Sequence, residues 1–170
     1  MIFTRIDTPI GVLTLAGEGD ALCHIEFPDN RHRAARDAWV EAEPGAVPAV
    51  LVEAEAQLRD YFAGQRRSFD LPLSPRGTPF QLRVWQALIR IPFGQTWSYR
   101  QLADVCGNGK ATRAVGAANS RNPLPIVVPC HRVIGADGEL VGFGGGIETK
   151  AALLRLEGAW PAIPAPSLFP

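Results

Sequence analysis

Short apolar and β-branched runs, cut by Gly/Pro turns, fill the first 27 residues; beyond about residue 50, apolar residues recur at helical spacing. Ile2-Phe3-Thr4-Arg5-Ile6, Val12-Leu13-Thr14-Leu15 and Ala21-Leu22-Cys23-His24-Ile25-Glu26-Phe27 are separated by Thr8-Pro9-Ile10-Gly11 and Gly17-Glu18-Gly19-Asp20. This pattern predicts a three-strand meander. Residues 29–49 are polar and weakly periodic, and no element is predicted there. Leu51, Ala54, Leu58, Tyr61 and Phe62 share a helical face that Gly64 closes.

The stretch 70–79, with three prolines and one glycine, reads as a linker. After it, Phe80, Val84 and Leu88 lie on one helical face, with Trp85 and Ile89 beside them, and Ile91-Pro92-Phe93-Gly94 ends the helix. A last helix is predicted over about 147–157, with Glu148 in its first turn and Gly158 at its stop. The expected fold is α+β. A small N-terminal antiparallel-sheet domain (1–75) precedes a mainly helical domain (76–160) with a helix-turn-helix and a short active-site strand. A tail, 161–170, holds four prolines.

Composition narrows the setting. A hydrophobic fraction of 46% suffices for a packed core, and no run approaches 18 consecutive apolar residues, so no membrane span is expected. The N-terminus lacks a basic region followed by an apolar run, so no secretory signal is expected. Three cysteines cannot all pair within the chain, which suits a reducing cytoplasm. Formal charge is zero overall but unevenly spread. Residues 1–75 carry 7 basic and 12 acidic side chains, whereas residues 76–170 carry 10 and 5. A basic second half hints at a nucleic-acid face there.

That half contains a candidate helix-turn-helix. Ser98 is placed to cap a helix with Leu102, Val105 and Cys106 on one face, Gly107-Asn108-Gly109-Lys110 is a tight turn, and residues 111–121 form a second helix ended by Asn122-Pro123. The second helix is rich in small residues: Ala111, Ala114, Gly116, Ala117 and Ala118. Such a surface permits close approach to a groove, with Arg113 as a single probe.

Cys130 follows Ile126-Val127-Val128-Pro129 and precedes His131, which places a thiol beside an imidazole at the expected end of a strand. A thiol becomes a strong nucleophile when a neighbouring base or positive charge favours thiolate. The imidazole needs an orienting carboxylate from elsewhere in the chain, and Glu157 is a candidate. Cys23 and Cys106 read as small buried hydrophobes. Gly142 and Gly144-Gly145-Gly146 read as a flexible pocket wall.

Pro129-Cys130-His131-Arg132-Val133, with Asn122-Pro123 before it and Gly142-Phe143-Gly144-Gly145-Gly146 after it, resembles the signature of O6-alkylguanine-DNA alkyltransferases. The likeness extends through Phe80-Gln81, Val84-Trp85-Gln86-Ala87-Leu88, Ile91-Pro92-Phe93-Gly94, Ser98-Tyr99 and Arg113-Ala114-Val115-Gly116, over roughly 78–158. Over 1–75 it is loose, resting on Asp7-Thr8-Pro9-Ile10-Gly11 and Tyr61-Phe62-Ala63-Gly64. The resemblance implies that a monomer acts once on double-stranded DNA, moving an alkyl group from guanine O6, or thymine O4, to Cys130. It implies His131 as base and Glu157 as its holder. Tyr99 would assist nucleotide rotation and donate to the guanine ring, and Arg113 would fill the gap left in the stack. Asn122 would tie the second helix to the active-site strand, while Val133, Phe143 and Gly144 would line the pocket. Arg100 and Asn108 would contact the DNA backbone.

The sequence departs from the family pattern in two places. Cys23, His24 and His32 cannot supply the four ligands of the zinc site that some relatives carry, so no metal is expected, and no cofactor. Phe143 and Gly144 stand where some relatives have tyrosine and serine, so a hydroxyl contact to O6 is missing. Two other readings compete: a binding module that recognises alkylguanine without chemistry, and a helix-turn-helix transcription factor with an inert Cys130.

Overall fold

The structure is a computed structural model, described here over residues 1–160; the Pro-rich tail lies outside the described residues. Strands β1 (Ile2–Thr8), β2 (Gly11–Glu18) and β3 (Ala21–Glu26) form the meander, with Thr8 opposite Gly11 and Thr14 opposite Glu26. Gly11, at φ 105°, allows the tight first turn, where the Thr8 hydroxyl donates to its carbonyl at 2.6 Å. Leu13, Leu15, Leu22 and Ile25 are fully buried, as are Leu51, Ala54 and Leu58 of α1 (Ala49–Phe62). Between β3 and α1, a strand that the sequence does not reveal, β4 (Val40–Glu41), pairs parallel to β1. Two residues are too few to show a period.

The segment read as a linker is stitched to the sheet. Leu22 N–H donates to Pro72 O at 2.8 Å, Ser74 N–H donates to Leu22 O at 2.9 Å, and the Gln57 amide bonds both backbone groups of Asp70. Prolines suit such an edge because they need no ladder donor. One apolar cluster then continues from Leu58 and Tyr61 into Leu88, Leu102, Leu124 and Leu153.

Helix α2 (Pro79–Leu88) starts in a capping box between Thr78 and Gln81, with Pro79 at its first position. Its Trp85 indole donates to Ala118 O at 2.8 Å and so seats the second helix of the helix-turn-helix. Strand β5 (Trp97–Ser98) leads into α3 (Tyr99–Val105), capped by a second box between Ser98 and Gln101; α4 (Thr112–Ser120) follows the turn. The buried face of α3 centres on Leu102 and Ala103, which turns Val105 outwards at 38% exposure, contrary to the face expected from spacing.

The β-branched run before the thiol is not a strand. Pro125 and Pro129 cannot donate to a ladder, and Ile126 sits at φ 75°, a strained conformation for a branched residue. Cys130–Arg132 is one 3₁₀ turn, and the short strand β6 (Val133–Ile134) comes after it, parallel to β5. Helix α5 (Ile147–Leu156) closes the described fold, with Gly158 at φ 67°. Among the described residues no helix is long and apolar enough to cross a membrane.

Candidate active site

The 3₁₀ turn brings the thiol and the imidazole to adjacent buried positions. Cys130 is 4% exposed and His131 0%. Asn119 and Asn122, at the end of α4 and just beyond it, hold this turn. The Asn119 amide donates to Cys130 O at 3.3 Å, and the Asn122 amide donates to Val128 O at 2.7 Å while its Oδ1 accepts from Leu124 N–H at 3.0 Å. Burial pushes the Cys130 thiol up to about 11, against the pull of the Asn122 side chain and the Lys150 charge. The resting sulfur is therefore a protonated thiol at neutral pH, and attack requires a base that removes its proton during reaction.

Glu157 organises that base. Its Oε1 lies 2.7 Å from His131 Nε2 and accepts from the Tyr61 hydroxyl at 2.8 Å. Arg132 adds a two-pronged contact, Nε to Oε2 at 2.8 Å and a terminal nitrogen to Oε1 at 3.0 Å, and its other terminal nitrogen donates to Ile91 O at 2.7 Å. Burial opposes ionisation of Glu157, but the hydrogen bonds from His131 and Arg132 outweigh it and hold the carboxyl at about 2. Burial also lowers the His131 imidazole, so the ring is neutral at neutral pH. A neutral ring facing an ionised carboxylate carries its proton on Nε2, an assignment made from the hydrogen-bond network. Nδ1 is then an acceptor, and it is buried with no protein partner.

The cavity beside Cys130 is lined by Phe27, Asn30, Asn119, Ser120, Asn122, Pro125, Phe143, Gly144 and Gly145, and measures about 10 Å³. That is room for about one water. The cavity is closed and too small for a base. Its lid comes partly from the segment that follows β3, since Phe27 packs edge-on against Phe143 with centroids 5.5 Å apart, and Arg31 N–H donates to Gly144 O at 2.9 Å. The glycine wall is explained by close approach. A Cβ on Gly145 would sit 2.6 Å from the Phe27 ring and one on Gly144 3.1 Å from Asn30 Oδ1, while positive φ belongs to Gly142 and Gly146. A larger concavity of about 840 Å³, lined by Asp137, Ile147 and Arg155 among others, includes none of the thiol, imidazole or Glu157.

Cys130, His131 and Glu157 are thus brought together with Asn122, Phe143 and Gly144, whereas Val133, expected in the pocket wall, is fully buried and is not among the residues that line the cavity. Tyr99, the first residue of α3, joins them from the other side; its hydroxyl donates to Val141 O at 3.0 Å, and burial followed by the Cys130 charge pushes it up to about 12. Arg100, Asn108 and Arg113 lie apart, exposed on the helix-turn-helix, with Asn108 Oδ1 bonded to Lys110 N–H at 3.1 Å. Arg113, Ala114 and Ala117 are the exposed residues within α4. Sequence reasoning missed Asn119, Tyr61, Arg132, Lys150, Phe27 and Asn30 as parts of the site. Arg132 carried a weak signal, as a charged residue inside a largely apolar run, and Lys150 carried none.

Comparison with known proteins agrees with this geometry. The 6-O-methylguanine DNA methyltransferase family matches in two parts, its ribonuclease-like domain over residues 1–75 and its DNA binding domain over 79–159. The methylated-DNA–protein-cysteine methyltransferase of Mycobacterium tuberculosis (strain H37Rv) is 50% identical over 155 residues, covering 91% of each chain. That of Methanosarcina acetivorans is 46% identical over 160 residues, covering 94% of this chain and 99% of the relative. The crystal structure of M. tuberculosis OGT in complex with DNA superposes with a TM-score of 0.87 at 50% identity, covering 92% of this chain and 93% of that one.

The carboxylate's place in the network has a measurable consequence. Because Glu157 is held below its unfolded value of about 4.5, the stability it contributes is complete above that pH and is lost as pH falls towards about 2. Glu157→Gln is expected to cost about 3 kcal/mol at pH 7, since Arg132 loses its buried partner. Its unfolding midpoint should also fall less steeply than that of the wild type between pH 5 and pH 3, scale set by the carboxyl range. Parallel thermal-unfolding curves over that range would contradict the assignment.

Proposed function

This chain belongs to the 6-O-methylguanine DNA methyltransferase family, and we propose that Cys130 is the thiol that receives the alkyl group. The enzyme repairs DNA by direct transfer of an alkyl group to its own cysteine. The observation that carries the assignment of Cys130 is the neutral His131, fixed by Glu157 in the residue next to the thiol, with its Nδ1 free of protein partners.

The sulfur attacks the alkyl carbon of O6-alkylguanine in line with the C–O bond. A C–S bond forms as the C–O bond breaks, the thiol proton passes through a water to His131 Nδ1, and the electron pair of the broken bond stays on the guanine. A proton delivered to a guanine ring nitrogen, with Tyr99 as the donor facing it, leaves a normal base. The same displacement serves O4-alkylthymine. A thioether has no easy hydrolytic exit, so each molecule acts once.

The lesion has to leave the base stack to reach a buried sulfur, at a cost of a few kcal/mol. The small exposed face of α4 suits approach to a minor groove, and Arg113 on that face fills the space left by the rotated nucleotide. Arg100 and Asn108 contact the phosphate backbone. Entry of a purine parts the contact between Phe27-Asn30 and Gly144-Gly145, because the closed cavity holds about one water. The reading extends to a monomer in the cytoplasm, a compartment that three free cysteines suit.

Mass spectrometry after mixing with a duplex carrying O6-methylguanine tests the chemistry. The Cys130 peptide is expected to gain one methylene, about 14 Da by the stoichiometry of methyl-for-proton exchange, and Cys130→Ala is expected to bind the duplex without repairing it. An unmodified Cys130 with tight binding would instead identify a recognition module. Arg113→Ala is expected to slow repair in duplex at least tenfold while leaving transfer from the free base almost unchanged, given the unstacking cost. Equal losses on both substrates would remove the wedge role.

A further inference from the structure

Lysine is scarce in this chain: 15 of the 17 basic residues are arginine. Lys110 lies exposed in the helix-turn-helix turn, whereas Lys150 is 0% exposed in the first turn of α5. A lysine is almost never fully buried without a partner, and a cation near a helix N-terminus is opposed by the helix dipole. Neither burial nor the helix accounts for this residue. No carboxylate lies within ion-pair distance of it among the described residues. Its Nζ instead donates to Val133 O at 2.5 Å and to Val141 O at 3.0 Å, and stands 6.0 Å from the centroid of the Tyr99 ring.

We propose that Lys150 is a positioning residue for alkyl transfer, whose ammonium ties the Val133 and Val141 carbonyls together and supplies the positive charge that favours the Cys130 thiolate. The proposal rests on Cys130 being the acceptor and adds the group that helps ionise it. The groups facing Nζ are the Cys130 thiol, the His131 imidazole and the Tyr99 phenol. Burial lowers the lysine to about 8 and the Cys130 charge opposes that fall, so the ammonium form predominates at neutral pH. The same attraction acts in reverse on the sulfur.

Position adds to charge. Val141 O accepts from both Tyr99 and Lys150 in the closed site. When Tyr99 turns its hydroxyl to an incoming guanine, Lys150 keeps that carbonyl bonded, so the tyrosine moves without leaving a buried acceptor unsatisfied. During transfer, negative charge leaves the sulfur and arrives on the base that Tyr99 faces. The lysine charge acts on the sulfur and stands 6.0 Å from the Tyr99 ring centroid.

The test is the pH dependence of Cys130 alkylation by iodoacetamide, read from the Cys130 peptide, alongside methyl transfer from DNA. Iodoacetamide reports the thiolate whether or not the DNA reaction is assigned correctly. Lys150→Gln and Lys150→Met are expected to raise the midpoint of the reactivity rise by about one pH unit, a roughly tenfold loss near neutral pH that recovers in alkali. Lys150→Arg, which keeps the charge, is expected to hold the wild-type midpoint. A folded neutral variant with the wild-type midpoint would overturn the proposal. If neither neutral variant folds, the arginine variant decides: a midpoint raised by half a unit or more would show that charge is not what Lys150 contributes.

Discussion

The ionised carboxylate of Glu157, taken out of water at the end of the last described helix, holds the rest of the site in place. A buried carboxylate is tolerable only when nearly every lone pair is used. Here the donors come from Tyr61 of α1, from the His131 ring and from the fork of Arg132. Helix α1 is therefore bonded directly to the carboxylate that orients the proposed base. The fork of Arg132 holds the carboxylate ionised, and the ionised carboxylate fixes the ring's proton on the nitrogen that faces it.

Burial has a second effect, on the nucleophile. A sulfur raised to about 11 reacts slowly with chance electrophiles at neutral pH, and the closed cavity slows their entry. A protein that is spent by a single reaction benefits from both. In the proposed reaction, reactivity depends on two events, the parting of the Phe27-Asn30 lid and the transfer of the thiol proton to His131. The N-terminal domain takes part in this control, since Phe27 and Asn30 form the lid and Tyr61 supports the carboxylate. Phe143 and Gly144 offer no side-chain hydroxyl, so the proposed reaction gives Tyr99 the part of donor to the base, with the Lys150 ammonium 6.0 Å from its ring centroid.

Much of the fold was legible because its signals are local. Gly11 and Gly64 mark turns that need positive φ, and Thr78 with Gln81 and Ser98 with Gln101 each form a box within four residues. The misread parts depend on distant partners. β4 exists because β1 offers an edge, and the 70–79 segment is pinned only by Leu22 and Gln57. The run before Cys130 has strand composition, yet two prolines and the strained Ile126 exclude it from a ladder. In the site, adjacency revealed Cys130 and His131, and the family signature pointed to Tyr99, Asn122, Arg113 and Glu157. Tyr61 bonds to Glu157 across 96 residues, and no period or spacing could announce that. Lys150 was hidden in the opposite way, as an ordinary charged residue early in a helix whose surroundings bury it completely.

The protonation state of His131 tests this account most directly. Nitrogen-15 NMR of the imidazole at pH 7 reports each ring nitrogen separately. A neutral ring with its proton on Nε2 and a bare Nδ1 is the expected result. An imidazolium, or a neutral ring protonated on Nδ1, would leave the thiol without a base and contradict it.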